Sequence, residues 1–210
     1  IIGINSNFYN ELEQAAIFEL FYHVIRLHKS PPMTVAEAIG DLPPIYPLTT
    51  AQRNCGRNFS HFPFSFTTIS NHIPRFHNLR DINTFRMLAE DIESGKNIYT
   101  SIENLKVLYT KLTGRKSNIH KYYVLRRDQP SNTIPAHLYK DGMRHIHPDS
   151  KQARSITVRE AARLQTFDDD YIFTGSMGAQ YKMIGNAVPP KFAEILSIAL
   201  SKVLSVFYHG

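Results

Sequence analysis

The chain has 210 residues, 42% of them hydrophobic and 20% charged, a composition that excludes overall disorder and allows a sizeable hydrophobic core. Its formal net charge of +6 makes a polyanion the favoured class of partner, since lysine and arginine gain most beside phosphates. The single cysteine, Cys55, excludes an internal disulfide and a multi-cysteine zinc site, and no apolar run approaches the roughly 20 residues that cross a bilayer, so we expect no membrane partner.

The chain opens with the apolar run Ile1-Ile2-Gly3-Ile4, which is typical of a strand buried on both faces of a parallel sheet. Such a strand needs neighbours, so we expect the chain to begin inside a domain; a processed terminus is the alternative. Between Phe8 and His28 the apolar residues recur at helical spacing, which predicts a surface helix. Its apolar positions are Leu12, Ala16, Leu20, Val24 and Leu27.

A short helix and a boundary follow the first helix. Thr34 and Glu37 have the spacing of a capping box, which predicts a helix from Val35 to Ile39. We expect Gly40 to end that helix in the left-handed conformation. Three prolines then precede residues 48–74, which show no clean period, and this predicts a boundary between two substructures.

The middle of the chain is predicted to contain two helices and several strands. Asp81 stands where an N-cap belongs, before a helix that ends near Gly95. The stretch from Tyr122 to His147 interleaves β-branched and aromatic residues with turn signals, which predicts short antiparallel strands. The second helix is marked by Leu105, Leu108 and Leu112.

Two more helices are predicted toward the end of the chain. Thr157 and Glu160 repeat the capping-box spacing before a short helix. The last helix starts after Pro189-Pro190 and carries a single apolar stripe. The stripe consists of Phe192, Ile195, Leu196, Ala199, Leu200, Val203, Leu204 and Phe207.

Two blocks near the end of the chain resemble a known family. Residues 154–167 read RSITVREAARLQTF and residues 181–190 read YKMIGNAVPP. In this order they resemble the last two conserved blocks of the DNA (cytosine-5)-methyltransferases. Residues 130–137, PSNTIPAH, look like the end of that family's target-recognition region, and the opening apolar run looks like the strand before it. The family usually has Phe-Pro-Asp or Tyr-Pro-Asp where this chain has Phe167-Asp168-Asp169, which predicts a looser turn.

The resemblance implies an α/β fold, with a mixed α/β target-recognition domain and the C-terminal piece of an S-adenosylmethionine-dependent, Rossmann-like methyltransferase domain. Residues 1–47 would end the catalytic domain with a strand and a helical connection, and residues 48–153 would form the target-recognition domain. Residues 154–210 would comprise a hinge block and the closing helix. The resemblance further implies a bacterial cytoplasmic protein that acts on double-stranded DNA.

A cofactor contact is implied at the turn inside the second block. By resemblance, Asn186, Ala187 and Val188 lie against the methionine part of S-adenosylmethionine, where a short amide can hydrogen-bond its charged end. Gly185 would let the backbone come close to the cofactor. The alternative is a tight turn that only launches the last helix.

For DNA reading, the resemblance singles out Thr133 and Ile134, which match a Thr-Leu, Thr-Val or Thr-Ile pair close to the target base. A threonine hydroxyl can position backbone or phosphate, and an isoleucine adds shape; a pair of strand residues favoured by propensity alone is the alternative. Nearby basic residues, interleaved with tyrosines, suit a duplex backbone as a cluster rather than singly. They are Lys121, Arg126, Arg127, Lys140 and Arg144.

Four charged residues of the first block are interpreted as a structural hinge. They are Arg154, Arg159, Glu160 and Arg163. Glu160 can close the capping box with Thr157. The arginines can tie the recognition region to the catalytic domain through bidentate contacts.

The family's chemistry has no counterpart in these residues. By resemblance, a thiolate from a Pro-Cys pair adds to carbon 6 of a flipped-out cytosine, and carbon 5 takes the methyl group. The family also needs a glutamate that handles the ring nitrogen and a glycine-rich turn that receives the cofactor. Here Cys55 follows Asn54, no Gly-x-Gly turn occurs, and the nearest acidic match, Glu103, stands on the wrong side of the opening strand. We therefore assign no catalytic or metal-binding residue. We expect an N-terminal catalytic part, on the same parent chain or a separate subunit; the alternative is a non-catalytic DNA-binding or assembly module.

Overall fold

The structure is a computed structural model that describes residues 11–49, 59–62, 69–116, 118, 122–140 and 142–208. In these ranges the chain forms seven α-helices and one 3₁₀ turn. They are α1 (Glu11–Leu27), α2 (Val35–Ile39), α3 (Leu79–Glu93), α4 (Ile102–Thr113), the 3₁₀ turn (Gly142–Arg144), α5 (Val158–Leu164), α6 (Met177–Asn186) and α7 (Pro190–Tyr208). Several predicted features lie outside the described residues: the strand Ile1–Ile4, Cys55, Lys121, and the side chains of Leu12 and Phe207.

The chain divides into two compact units. The terminal unit consists of Ile1–Pro32 and Val188–Gly210, and the main unit is Met33–Ala187. Both sequence boundaries, after residue 47 and after residue 153, fall inside the main unit. Contacts within this chain define the units, whereas the predicted boundaries follow the family's domains, so the division into domains stays a prediction.

In the terminal unit, α1 and α7 pack along each other. Ile17 and Val24 of α1 are buried, as are Ala199 and Val203 of α7. The predicted α1 stripe is partly wrong, because Leu27 is 69% exposed and Ile17 takes a buried place outside it. Other large apolar side chains of this unit are exposed: Phe18, Tyr22, Val188, Phe192, Leu204 and Val206. No helix in the described ranges is long and apolar enough to cross a membrane.

Helix α2 begins as the sequence predicts. The Thr34 N–H donates to the Glu37 carboxylate at 2.7 Å, and the Glu37 N–H donates to Thr34 Oγ1 at 3.3 Å, which is the reciprocal pair of a capping box. The predicted left-handed end is wrong, because Gly40 has φ −71° and its N–H donates to the Ala36 carbonyl at 2.9 Å. A Cβ on Gly40 would collide with that carbonyl oxygen, so the position needs glycine for space.

Helix α3 begins three residues earlier than predicted. Asn78 is the N-cap and its side chain accepts the Asp81 N–H at 2.9 Å, so Asp81 lies in the first turn. An acidic residue suits that turn as well as the cap, because the helix dipole favours negative charge there. The helix ends at Glu93, and Gly95 adopts the left-handed conformation just after it, with φ +73°.

The strands predicted between residues 122 and 147 are not formed in the described part of that stretch. Instead, single bridges pair Val124 with Ile146 in parallel and Ile146 with Ser155 in antiparallel orientation. Three extended segments therefore lie side by side around Ile146, and turns interrupt each one before a regular ladder can form. The described residues are mainly helical, and the mixed α/β class stays unconfirmed.

The main unit contains two hydrophobic clusters. One cluster joins α2, α5 and α6 through side chains that include Val35, Leu138, Ala161 and Ile184. The other packs α3 against α4, and the segment containing Tyr122 completes it. The first cluster brings the two family-like blocks together, so the candidate site is built on it.

Candidate functional site

A buried ion pair lies at the start of α5. Arg154 is fully buried, and its guanidinium donates to the two carboxylate oxygens of Glu160 at 2.6 and 2.7 Å. Glu160 also accepts the Thr157 N–H at 2.6 Å, so one carboxylate both closes the capping box and balances the arginine. Burial alone raises the pKa of Glu160, but Arg154 outweighs it, and the pKa lies below the usual carboxyl value.

Two buried histidines pack around this pair. His147 Nε2 lies 3.6 Å from the Glu160 carboxylate, but burial lowers the pKa of His147 to about 3, so its ring is neutral at pH 7. His72 Nδ1 lies 3.0 Å from Thr157 Oγ1, and its Nε2 lies 2.9 Å from the Pro43 carbonyl oxygen. Burial lowers the pKa of His72 as well. Neutral polar groups therefore fix the geometry of the ion pair without adding charge.

Arg159 and Arg163 connect α5 to neighbouring segments of the main unit. Arg163 bonds Asp41 and makes two further contacts with the carboxylate of Asp169. The Asp168-Asp169 turn, which we expected to be looser without the family's proline, is thus held by both arginines. The carbonyl oxygens that accept from Arg159 belong to Ser70, Asp168 and Tyr171, at 3.0, 2.9 and 2.7 Å.

Helix α6 ends at the residues predicted to contact a cofactor. Gly185 and Asn186 belong to its last turn, so the predicted tight turn begins only at Ala187. The Asn186 side chain is exposed and makes no hydrogen bond to any described residue. Gln165 Nε2 donates to the Ala187 carbonyl at 3.0 Å, which fixes the chain where it leaves the helix. Val188 begins the terminal unit and is 59% exposed.

Gly185 packs directly against the backbone of residues 135 and 136. A Cβ built on Gly185 would lie 2.6 Å from the Pro135 carbonyl carbon and 2.7 Å from Ala136 Cα, far inside contact distance. We expected this glycine to admit a cofactor, and in the structure it admits Pro135 and Ala136. The second family-like block, residues 181–190, therefore meets residues 130–137, which resemble the end of the recognition region, at Gly185.

Thr133 and Ile134 belong to the 133–140 loop, defined as the residues from Thr133 to Lys140 that precede the 3₁₀ turn. The Thr133 side chain is exposed, whereas Ile134 is only 4% exposed and belongs to the cluster of α2, α5 and α6. The expected contact of Ile134 with DNA stays a prediction, and in this structure its side chain is buried. Ile134 anchors the loop, and Thr133 remains available to a ligand.

Four of the five predicted basic residues lie in the described part of the chain. Lys140 is exposed at the end of the 133–140 loop, and Arg144 is half-buried in the 3₁₀ turn. Arg126 and Arg127 bond groups at the end of α3 and just after it. Their partners are Asn97, at 3.3 Å, and Glu93, at 3.6 Å. The fifth member, Lys121, lies outside the described residues.

The segment from residue 69 to residue 78 contributes site residues that the sequence did not reveal. Asn71 has φ +62°, and its side chain makes two hydrogen bonds to the Phe173 backbone, at 3.0 and 3.1 Å. His72 and Arg75, from the same segment, contact α5 and α6. Only Asn71 carries a local signal in the sequence, because asparagine tolerates the left-handed backbone conformation that this position adopts. The other two residues act through partners far away in the chain.

The sequence matches the family model for C-5 cytosine-specific DNA methylase over residues 11–202. A curated relative, the type II methyltransferase M.Bpa9945I of Bacillus paralicheniformis, is 32% identical over 200 residues, which cover 86% of this chain and 43% of the relative. The putative type II methyltransferase M.OihORF3336P of Oceanobacillus iheyensis is 32% identical over 206 residues, covering 81% and 44%. DNA (cytosine-5)-methyltransferase 4 of Arabidopsis thaliana is 30% identical over 197 residues, covering 82% and 12%. The chain thus spans less than half the length of these relatives.

Proposed function

Because the chain belongs to the C-5 cytosine-specific DNA methylase family, we propose that it supplies the DNA-recognition surface and closes the cofactor pocket of a cytosine-5 methyltransferase. One observation carries the proposal. Gly185 packs on Pro135 and Ala136, which sets the end of α6 against the 133–140 loop. The residues proposed to hold DNA and those proposed to hold the cofactor are therefore neighbours.

We assign Asn186, Ala187 and Val188 to the cofactor. The exposed Asn186 amide can donate to a carboxylate and accept from an ammonium group, and the methionine end of S-adenosylmethionine carries both. When bound, S-adenosylmethionine supplies the methyl group for carbon 5 of cytosine. The hydrogen bond from Gln165 to the Ala187 carbonyl keeps this stretch of backbone in place.

Thr133, Lys140 and Arg144 are proposed to hold the duplex. Hydroxyl and cationic groups of this kind position a DNA backbone, whereas contacts to base edges specify the sequence. The net charge of +6 favours the same partner. Arg126 and Arg127 contribute less in this proposal, because their guanidinium groups already have partners at the end of α3.

The nucleophilic thiol is proposed to come from polypeptide outside these residues. The family's chemistry needs a Pro-Cys pair, and here Cys55 follows Asn54. The matched parts cover 43% and 44% of the two bacterial relatives, which leaves length for a catalytic half. Exposed apolar side chains on α1 and α7, such as Phe18 and Phe192, offer a surface against which that half can pack.

Duplex binding tests the DNA part of this proposal. The chain should bind a fluorescent DNA duplex with an affinity that falls as salt rises. Replacing Lys140 and Arg144 together by Ala should weaken binding and make the slope of log K against log salt shallower by about 1.8, at about 0.9 per lost phosphate contact. Replacing Lys29 and Lys202, both exposed in the terminal unit, removes the same charge and should leave the slope unchanged. Equal effects of the two double variants would contradict the assignment.

A second candidate is a non-catalytic DNA-binding or assembly module that keeps the family's fold. The sequence context of Cys55, without a preceding proline, favours it. Calorimetric titration of S-adenosylmethionine into the chain assembled with a catalytic half separates the two. If the chain is part of an enzyme, the assembly should bind S-adenosylmethionine, and the Asn186→Ala variant should bind it more weakly. If the chain is a non-catalytic module, neither the unmodified assembly nor the Asn186→Ala variant should bind S-adenosylmethionine.

A further inference from the structure

Arg75 lies where the 133–140 loop meets α6. The guanidinium of this half-buried residue donates to the carbonyl oxygens of Leu138 at 2.8 Å and Tyr139 at 3.2 Å. The same guanidinium carbon lies 3.9 Å from the centroid of the Tyr181 ring in α6. A planar, delocalised cation can bond two acceptors along its edge while its face lies on an aromatic ring. One side chain thus joins the loop to the helix.

Both sides of this contact are themselves fixed. Tyr181 is buried, and its hydroxyl donates to the Ile156 carbonyl at 2.7 Å. Leu138 is fully buried in the cluster of α2, α5 and α6. Gly142 leaves room for the arginine, because a Cβ there would lie 2.8 Å from Arg75 Nη1. The surroundings therefore hold the guanidinium in one position.

The loop has a second attachment to α6. Gly185 contacts Pro135 and Ala136, whereas Arg75 bonds the carbonyl groups of the residues that follow. Two contacts at different points along a short loop leave little freedom for the loop to move without the helix. A shift of the loop would move the end of α6, where Asn186 lies.

We infer that Arg75 is a positioning residue that holds the 133–140 loop on α6, so that DNA bound by the loop and a cofactor bound at the end of α6 affect each other's affinity. The identity of the two ligands rests on the proposed function, while the attachment itself is a property of the fold. By thermodynamic linkage, the factor by which DNA changes cofactor affinity equals the factor by which the cofactor changes DNA affinity.

Hydrogen exchange of the 210-residue chain tests the attachment without any ligand. Arg75→Ala should raise deuterium uptake in peptides covering residues 135–140 and in those covering residues 181–187, with much smaller changes in α3 and α4. Arg75→Lys should give most of the same increase, because an ammonium group cannot lie flat on Tyr181 and bond both carbonyls. Arg26→Ala, at an exposed arginine of α1, is the control and should change neither region.

Two exchange results would overturn the inference. An increase confined to residues 135–140 would show that the loop moves without the helix. An even increase over the whole chain would make Arg75 a general stabilising residue instead of a link between two elements. An increase in both regions, and little elsewhere, supports it.

Duplex binding then separates positioning from direct contact with DNA. Arg75→Ala should raise the dissociation constant several-fold with an unchanged salt slope, because Arg75 acts through the loop. A slope shallower by about 0.9 would identify Arg75 as a phosphate ligand and overturn the inference. If the unmodified chain binds no duplex, the proposed function fails, and the exchange result alone decides whether Arg75 links the loop to the helix.

Discussion

At the scale of single residues, Glu160 is the carboxylate on which the start of α5 depends. Glu160→Gln should lower the free energy of unfolding by about 3–5 kcal/mol, because Arg154 would keep its charge at a buried position without a full partner. Glu19→Gln breaks the exposed contact with Arg26 and should cost no more than about 1 kcal/mol. Urea unfolding measures both values. Similar small losses in the two variants would show that the buried pair does not stabilise the fold.

Buried histidines should make the stability depend on pH. Burial lowers the pKa of His77 and of His147 to about 3, and it lowers the pKa of His72 from the 6.5 of an unfolded chain. Below about pH 6.5 the unfolded chain takes up protons that the folded rings do not, so stability is lost as the pH falls toward 3. Glu160, whose folded pKa is lowered, adds to the loss below about pH 4.5.

The histidine prediction can be measured as a slope. Between pH 6 and pH 5 the unfolding free energy should fall, and His77→Gln should reduce the slope by about one proton. A slope that His77→Gln leaves intact would mean that this ring is protonated in the folded protein.

At this scale the sequence revealed what is local. Thr157 and Glu160 are three residues apart, so their spacing alone predicts the capping box that the structure contains. His72 contacts Thr157 across 85 positions of sequence, and Arg75 contacts Leu138 across 63. No spacing rule reaches that far. The burial of Ile134 was not predicted for a related reason, since a motif does not tell which of two adjacent side chains faces the core.

At the scale of elements, α6 contains two glycines whose replacement by alanine should change the free energy of unfolding in opposite directions. Gly178→Ala should raise the free energy of unfolding by up to about 1 kcal/mol, because nothing lies within 4 Å of the added Cβ and alanine loses less entropy in a helix. Gly185→Ala should lower it by about 1–3 kcal/mol, because the backbone of Pro135 and Ala136 must move. Thermal unfolding of both variants and of the unmodified chain measures the order of their stabilities. A Gly185→Ala variant as stable as the unmodified chain would contradict the close contact.

The sequence predicted most helices but not the middle of the site. Periodic apolar residues and caps predicted six of the seven α-helices in the described part of the chain, namely α1 to α5 and α7. It missed α6, whose sequence contains two glycines and whose burial depends on Tyr181 and Ile184 entering the core. It also predicted strands around Ile146, where turns leave only single bridges. Tertiary contacts decide both cases.

At the scale of the whole molecule, the described residues form two compact units whose sequences carry one family's signature. The resemblance fixed the family because two blocks occur in the right order, and the family model extends over residues 11–202. It did not reveal that Gly185 packs on Pro135 and Ala136, since a glycine that faces a cofactor and one that faces a backbone look alike in sequence. The central claim is that this chain recognises DNA and closes the cofactor pocket, while the catalytic thiol comes from polypeptide outside these residues. That claim can be tested directly, because it requires two parts for methyl transfer.

Methyl transfer by an assembled enzyme is that test. This chain would be co-expressed with a polypeptide that bears the family's Pro-Cys and Gly-x-Gly blocks, and the pair incubated with duplex DNA and methyl-labelled S-adenosylmethionine. Our account predicts label at carbon 5 of cytosine only when both polypeptides are present, and much less label with Asn186→Ala. Labelling of DNA by this chain alone, or none by a properly folded pair, would contradict it.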